Sequence, residues 1–290
     1  MHHPARQRLR ALFAVPAFVA LLSACSAIAD NAESPAPAAS AVVDSASLPS
    51  AHVHGVGRDP GDGTLLLATH EGLFRYAADG PVRVGPSIDL MGFWIAGPGH
   101  YYASGHPNMA PELPQPMGLI ESTDGGKTWA VLSRGGQSDF HTLTQAGDTV
   151  LAFDGKLRRT TDGRQWSTAP LTAHPRTLAA NPDGSKVLAT TEAALLGSTD
   201  KGATWQPIPD APLLLHVAWV DAGVVAGVTP GGEIAMSADA ARTWRMTGAT
   251  VPPPQAVSAS QTADGMEVLV VTEREVLTSR DGKKFLPVRG

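Results

Sequence analysis

The chain is poor in several residue types, and each shortage excludes a class of protein. Its 290 residues contain one cysteine, Cys25, so no disulfide can form within the chain. After residue 50 no long apolar stretch has the i, i+3, i+4, i+7 spacing of an amphipathic helix. The HxxxH and CxxC spacings of local metal motifs are also missing. Any metal site must therefore be assembled by the fold.

Glycine and proline, in contrast, are abundant. The chain has 30 Gly and 24 Pro, and only 17% of its residues are charged. This composition favours many short strands and turns over long helices. We therefore expect an all-β protein, with room for one large domain or two smaller ones.

The N-terminal segment has the pattern of a targeting signal. Three arginines precede an apolar stretch, residues 11–22, that is too short to span a bilayer comfortably. The sequence Leu-Ser-Ala-Cys follows and ends at Cys25. It resembles a bacterial lipoprotein signal, which implies lipidation of Cys25. Ser26 further implies, by similarity to Gram-negative lipoproteins, release to the outer membrane facing the periplasm. An ordinary secretory signal is the alternative.

These features predict three parts of the chain. Residues 1–24 form the signal peptide, residues 25–50 a lipidated Cys with a flexible Ala/Ser/Pro tether, and residues 51–290 the folded domain. Removal of the signal would leave 19 basic residues against 27 acidic ones. Such a surface has no phosphate-binding character, so we expect no nucleic-acid partner. We expect membrane attachment through the lipid on Cys25.

A repeat of about 40 residues runs through the folded part. Trp129, Trp166, Trp205 and Trp244 lie 37, 39 and 39 residues apart, and Phe285 follows 41 residues later. Each aromatic residue follows a Ser/Thr-x-Asp sequence and, in most copies, a glycine. The repeat positions are Ser122, Asp124, Gly126, Trp129, Thr160, Asp162, Trp166, Ser198, Asp200, Gly202, Trp205, Ser237, Asp239, Trp244, Ser279, Asp281 and Phe285.

This period, with four short strands per unit, is typical of a β-propeller blade. Residues 52–86 have the strand pattern without the Asp/Trp signature and predict a first blade, and residues 89–133 predict a second. Residues 51–290 are then used up by six blades. Seven blades would need about 40 more residues.

The repeated phrase resembles the Asp-box, or BNR repeat, of sialidases, sortilin-type receptors and photosystem assembly propellers. Residues 51–290 as a whole are similar to secreted bacterial Asp-box propellers described as glycosyl-hydrolase-like. The phrases that carry this similarity are HVHGVGRDP, ATHEGLF, DLMGF, ASGHP, DFHTL and STDGGKTW. The resemblance implies a propeller fold and does not by itself imply an activity.

Physical reasoning assigns the repeated turns to the scaffold. Their Ser/Thr and Asp side chains can bond backbone N–H groups of their own turn, and glycine supplies the positive φ. We expect each turn between the third and fourth strands of a blade, at the rim, with its Trp packed between blades. A carbohydrate or ion site at the rim is the alternative.

Function is then expected on the opposite face, near the axis, where loops from different blades meet. The blade register brings six of the eight histidines after residue 50 to this face, together with Met91. The loop of residues 105–117, long for a hairpin, is expected over the channel mouth near them. Candidate metal ligands are His52, His54, His70, Met91, His106 and His141. Further candidates on the ligand face are Glu71, Asp139, Asp154, Arg176 and His216.

Imidazoles, a thioether and nearby carboxylates suit a transition metal. Methionine favours copper, and histidine with a carboxylate also suits zinc. Two alternatives stay open. The histidines could be structural, each bonded to a buried carbonyl or water, or the face could bind a small organic molecule or a glycan.

The sequence favours a binding or assembly protein over an enzyme. A sialidase needs an arginine cluster and a tyrosine nucleophile, whereas only Arg176 is well placed and the chain has three tyrosines. Another glycoside hydrolase would need two carboxylates flanking one bond. Asp89, Glu71, Glu112, Asp139 and Asp154 are candidates, with no spacing that selects a pair. The favoured interpretation is a lipid-anchored propeller that presents its loop face to a protein or glycan partner.

Overall fold

The computed structural model describes residues 48–77, 80–108, 110 and 112–288, all within one compact unit, Val43–Gly290. The predicted signal peptide, Cys25 and nearly all of the predicted tether lie outside the described residues. Every regular element in the described ranges is a β-strand. No helix long and apolar enough to cross a membrane occurs among those residues.

The strands form six sheets of four strands each, and every sheet is built from one continuous stretch of chain. Blade one contains β1 (Val53–Arg58), β2 (Leu65–Thr69), β3 (Gly72–Ala77) and β4 (Gly80–Val84). Blade two contains β5 (Asp89–Gly97), β6 (His100–His106), β7 (Leu119–Ser122) and β8 (Ala130–Ser133). Blade three contains β9 (Thr142–Ala146), β10 (Thr149–Phe153), β11 (Leu157–Thr160) and β12 (Ser167–Thr168).

The second half repeats the same plan. Blade four contains β13 (Thr177–Ala180), β14 (Val187–Thr190), β15 (Leu195–Ser198) and β16 (Gln206–Pro207). Blade five contains β17 (His216–Trp219), β18 (Val225–Val228), β19 (Glu233–Ser237) and β20 (Arg245–Thr250). Blade six contains β21 (Ala256–Thr262), β22 (Gly265–Val271), β23 (Val276–Ser279) and β24 (Leu286–Pro287). The protein is a six-bladed antiparallel β-propeller, as the repeat predicted.

Burial explains the order of strands within a blade. The second strands β2, β10, β14 and β18 are buried at every position, because each is covered on both faces by neighbouring blades. Their sequences are accordingly almost continuous apolar runs. The short outer strands β12, β16 and β24 are exposed at both residues. The innermost strands of consecutive blades contact one another, and the ring closes where β1 meets β21.

One apolar cluster fills each of the six junctions between blades. The repeat aromatics extend these clusters: Trp129 packs at the junction of blades one and two, and each later one packs against the preceding blade. The junction of blades six and one adds polar contacts. Arg58 donates two hydrogen bonds to buried Glu267, at 2.6 and 3.1 Å. The Gln255 side chain accepts a 2.8 Å bond from the backbone N–H of Val53.

The Ser/Thr-x-Asp turns lie between the third and fourth strands of blades two to six. In blade four, the Ser198 hydroxyl donates to Asp200 at 2.8 Å and accepts from the Gly202 N–H at 2.8 Å. Asp200 in turn accepts bonds from the N–H and hydroxyl of Thr204, at 2.8 and 2.6 Å. The Ser198 and Asp200 side chains therefore bond groups of their own turn.

Candidate functional site

A channel of about 1300 Å³ runs between the innermost strands of all six blades. The strands run in the same direction, so their first residues meet at one end, which we call the mouth. The side chains at the mouth that line the channel are His54, Met91, His141, Arg176, His216 and Gln255. The mouth thus receives a different side chain from each blade, in contrast to the repeated rim.

Two of these side chains project from irregularities in their strands. The pairing of β1 with β2 shifts between Val53 and Gly55, which leaves His54 outside the regular ladder. The pairing of β5 with β6 shifts in the same way between Leu90 and Gly92, around Met91. Such β-bulges re-aim a side chain and are common beside functional sites.

His54, His70 and Asp89 converge at the mouth. One ligand atom from each of the three lies within 4.8 Å of the other two. The His70 Nε2 atom is 3.9 Å from Asp89 Oδ1, and the His54 and His70 rings stack with centroids 4.6 Å apart. His52, which is exposed, lies on the other side of His70 with a centroid distance of 4.9 Å. Two imidazoles and a carboxylate at this separation are a donor set for a small divalent cation.

Two of the three donor residues have a buried atom without a competing partner in the described part of the chain. The buried His54 Nε2 and Asp89 Oδ1 atoms have no hydrogen-bond partner among the described residues. A buried polar atom left without a partner costs about 1 to 3 kcal/mol, so such atoms usually have a ligand, ion or water to bind. The triad therefore has the chemistry and the unmet bonding capacity of a binding site.

The electrostatic environment of the triad favours a bound cation. Burial, with the adjacent His70 and His52 and the charge of Arg176, lowers the pKa of His54 to about 4. His54 is therefore a neutral imidazole at neutral pH, the form that ligates metals. Burial also raises the pKa of Asp89, and nearby His70 opposes this effect. A cation would remove the penalty of the buried charge on Asp89.

A second group lies beside the triad. The Nε2 atoms of His106 and His141 are 3.3 and 3.4 Å from the same oxygen of Asp139, and the other Asp139 oxygen is buried without a partner among the described residues. The amide of Gln115 is 2.9 Å from Nδ1 of His106. The charges of both His106 and Asp139 affect the pKa of Asp89, so the two groups interact electrostatically at the mouth.

The connection between β6 and β7 lies against this mouth, where the loop of residues 105–117 was expected. Besides the Gln115 contact, the Asn108 amide donates a 2.6 Å hydrogen bond to the backbone carbonyl of His70. The buried Met117 anchors the end of the connection in the core, together with Ala110. The loop is thus hydrogen-bonded to two histidines at the mouth, His70 and His106.

The remaining predicted site residues have other surroundings. His216 is buried, with Nδ1 3.1 Å from the Thr177 hydroxyl, and burial with the charge of Arg176 lowers its pKa to about 4. Asp154 is held by Ser138 and Arg158 at 2.5 and 2.7 Å. Asp154 also lines the channel, and its other carboxylate oxygen is buried without a partner among the described residues.

Glu71 and Arg176 are exposed. Glu71 follows β2 and bonds through its backbone N–H to the Thr69 hydroxyl. Asp89 is the member of the triad that sequence reasoning did not assign to the metal, because it was considered only as a catalytic carboxylate. Its position two residues before Met91 was the signal that could have identified it.

Comparisons with known proteins agree on the fold. No protein-family model and no curated protein sequence matches the chain. The solved GH74 enzyme of Niastella koreensis is 21% identical with a TM-score of 0.56, over 82% of this chain but only 37% of the enzyme. YCF48 bound to D1 peptide is 18% identical with a TM-score of 0.50, over 83% of both chains. The extracellular domain of BT4673 from B. thetaiotaomicron is 14% identical with a TM-score of 0.56, over 85% of this chain and 34% of that one.

At these identities the comparisons establish a shared β-propeller fold. The chain spans about a third of the GH74 and BT4673 chains and most of YCF48. The similar proteins include a glycoside hydrolase and a protein solved with a peptide bound, so the fold is compatible with both catalysis and binding.

Proposed function

We propose that this chain is a lipid-anchored binding protein of the bacterial envelope whose channel mouth holds a transition-metal ion between His54, His70 and Asp89. The observation that carries the proposal is the convergence of these three donor atoms within 4.8 Å. His52 beside His70, and His106 and His141 beside Asp139, would position the triad. The loop face around the mouth would be presented to a protein or glycan partner.

The donor set indicates which metal would bind. Two neutral imidazoles and a carboxylate fit zinc, and they leave a fourth tetrahedral position open. Met91 lines the same mouth, and a thioether ligand would shift the preference toward copper. Zinc and copper are therefore the two ions to test.

The identity of the repeat and the cellular location are part of the proposal. We infer that the five Ser/Thr-x-Asp turns are Asp-box hairpins acting as scaffold, since in each turn the Ser or Thr hydroxyl donates a hydrogen bond to the Asp side chain. The signal-like N-terminus and the lone Cys25 support a lipid anchor in the outer membrane, facing the periplasm. The excess of acidic residues supports a partner other than nucleic acid.

Metal counting tests the proposal directly. The full-length chain is purified without chelator, loaded separately with zinc and copper, and desalted, and the metal per chain is measured. His70→Ala is compared with His100→Ala, because each removes a partly exposed imidazole beside a carboxylate. We expect one ion per chain in the wild type and in His100→Ala and none in His70→Ala. A wild-type protein that retains no metal would overturn the proposal.

A glycoside hydrolase is the second candidate, favoured by one observation. Asp89 and Asp139 lie at the same mouth, and burial raises the pKa of Asp89 as a general acid requires. A panel of fluorogenic glycosides, assayed in the presence of a chelator, tests this function. Turnover abolished by Asp89→Asn and by Asp139→Asn would support it, and no turnover on any glycoside would count against it.

A further inference from the structure

We propose that the mouth binds a small carboxylate that bridges the metal ion and the guanidinium of Arg176. This inference rests on the proposed metal site and specifies the class of ligand that the site takes up. The ligand would place one carboxylate oxygen on the ion and the other on Arg176.

The position of Arg176 across the channel is the first observation. Arg176 directly precedes β13 of blade four, and the triad is built from blades one and two. In a closed ring of six blades, the fourth lies opposite the first. Arg176 is also the single Arg or Lys among the described residues that line the channel. One cationic side chain therefore stands across the axis from the proposed metal ligands.

The guanidinium of Arg176 is also free to bind a ligand. It makes no hydrogen bond or ion pair with another side chain in the described part of the chain, and the residue is exposed to the channel. Arg158, by contrast, is engaged by Asp154 at 2.7 Å, and Arg134 is 3.7 Å from the same carboxylate. The planar guanidinium offers donors in a fork that matches the two oxygens of a carboxylate.

The field of Arg176 reaches both sides of the mouth. Its positive charge contributes to lowering the pKa of His54 in blade one and of His216 in blade five. An anion between Arg176 and a bound cation would be attracted by both positive charges. Without the anion, the guanidinium and the cation would each have to be solvated separately. The nearby carboxylate of Asp139, which leads into the adjacent blade three, is already flanked by His106 and His141.

The metal site has a position for such an anion. Three protein ligands leave one position of a tetrahedral ion open, as in sites that bind a small exogenous ligand. The channel, at about 1300 Å³ and lined by both His54 and Arg176, has ample volume for a small organic acid. A carboxylate is favoured over a halide because its two oxygens match the forked donors of the guanidinium and can also reach the ion.

Cobalt spectroscopy separates metal binding from anion binding. The full-length chain is loaded with Co²⁺ in place of zinc, bound cobalt is counted, and the visible absorption spectrum is followed during titration with acetate. Acetamide at the same concentrations is the neutral control. Arg176→Gln removes the charge and Arg176→Lys keeps the charge without the fork. Arg274→Gln removes an exposed arginine that does not line the channel.

The outcomes distinguish the two proposals. We expect acetate, and not acetamide, to change the spectrum of the wild type and of Arg274→Gln. Arg176→Gln should bind as much cobalt but need at least tenfold more acetate, with Arg176→Lys intermediate. Normal cobalt binding with an equal acetate response in Arg176→Gln, or with no response in the wild type, would overturn the carboxylate site alone. A wild type without cobalt would overturn the metal site and, with it, this inference.

One further comparison identifies the source of the carboxylate. A free acid and the carboxyl terminus of a peptide present the same group, so the titration is repeated with acetyl-triglycine and with its amide. A response to the acid at lower concentration than acetate would indicate a chain terminus, and an equal or weaker response a free small acid. Either result requires the amide to be silent, and an equal response to the amide would contradict carboxylate recognition.

Discussion

The rim turns and the channel mouth use similar polar residues in opposite ways. At the rim, Ser198 and Asp200 direct their oxygens to groups of their own turn. At the mouth, buried atoms of His54, Asp89 and Asp139 have no partner among the described residues. The Ser and Asp side chains of the rim therefore stabilise their own turns, whereas these mouth atoms are available to a group outside the chain, although the Nε1 atoms of the repeat residues Trp129 and Trp244 also lack a partner among the described residues.

This contrast explains why repetition and function separate in the molecule. A turn that recurs in five blades serves each blade equally, so it stabilises the scaffold. A side chain that occurs in one blade only, such as Met91 or Arg176, has no part in the scaffold that all the blades share. The predictions below change single residues in the two regions. The failure of any one would argue against the division between a structural rim and a functional mouth.

Asp89→Ala should have the largest effect, and the effect should fall on metal binding. Removal of one of three protein ligands is expected to weaken zinc or copper binding at least 100-fold, or by about 3 kcal/mol. The metal-free variant should be as stable as the wild type or more so, because burial raises the pKa of Asp89 and its charge is costly. Metal titration and urea unfolding of the metal-free chain measure the two effects. A stability loss with unchanged metal affinity would reverse the assignment.

Gly202→Ala should have the next largest effect, on stability. Gly202 has φ of +78°, and an added Cβ would lie 2.1 Å from the Leu151 side chain of the preceding blade. We expect a loss of about 2 to 3 kcal/mol in the free energy of unfolding from strain and overpacking together.

Gly155→Ala is the matched control for this change. Gly155 has φ of +92° but no atom near the added Cβ, so only the backbone cost of about 1 kcal/mol applies. Equal losses in the two variants would show that the packing of the turn against the preceding blade contributes nothing. Metal affinity should be unchanged in both.

The free energy of unfolding should decrease at mildly acidic pH because of His216, a buried residue at the mouth. Burial, aided by the charge of Arg176, lowers the pKa of His216 from 6.5 to about 4. Between these values the unfolded chain binds more protons than the folded one, so stability falls as the pH decreases from about 6.5 to 4 and then levels off. His216→Gln should remove part of this dependence, on the order of 2 kcal/mol in the metal-free protein.

Chemical denaturation at pH 7.5 and pH 5 measures this effect. The control is His174→Gln, because His174 is an exposed imidazole packed beside Phe153. It should keep the wild-type pH dependence. A pH dependence equally unchanged in His216→Gln would mean that the buried imidazole costs the folded state nothing.

Asp200→Ala should have a smaller effect, confined to stability. The change removes three hydrogen bonds of one turn, from the Ser198 hydroxyl and from the N–H and hydroxyl of Thr204. Because the turn is exposed, we expect a loss of about 1 kcal/mol, in the range of lost helix caps. The exposed Asp264 provides the control, and Asp264→Ala should change stability by less than about 0.5 kcal/mol. A change in metal affinity in Asp200→Ala would argue against a purely structural rim.

The fold could be predicted from the sequence because its signal is repeated. The spacing of Trp129 to Phe285 determined the number of blades, and the Ser/Thr-x-Asp turns determined where the third and fourth strands meet. The apolar second strands then followed from their burial between neighbouring blades. Every blade carried some of this information, so the weak pattern of blade one did not mislead the count.

The mouth could be predicted only as a region. Strand register indicated that His54, His70 and Met91 lie at one end, but the bulges that project His54 and Met91 leave no pattern in a single sequence. Asp154, expected on the ligand face, lines the channel, but its ion pairs with Arg134 and Arg158 depend on side-chain directions that the sequence does not reveal. Side-chain partners across blades are a property of the assembled ring.

The last and smallest effect concerns the one rim turn that lacks glycine. At the position where other turns have Gly126, Gly163, Gly202 or Gly282, blade five has Ala241, which is fully buried with φ of +65°. Ala241→Gly should relieve about 1 kcal/mol of left-handed strain. It should lose a similar amount through the buried methyl group, which packs with Leu188 and Leu195, and through the greater freedom of the unfolded chain.

The two contributions nearly cancel, so the free energy of unfolding should change by less than about 1 kcal/mol, as measured by the urea midpoint at constant slope. This result would sharpen the comparison with Gly202→Ala, because the same pair of residues is exchanged in the opposite direction at an equivalent position. If Ala241→Gly instead cost more than about 2 kcal/mol, the methyl group would be essential to the junction of blades four and five. The rim turns would then differ in packing from blade to blade, and repetition alone would no longer identify them as interchangeable scaffold.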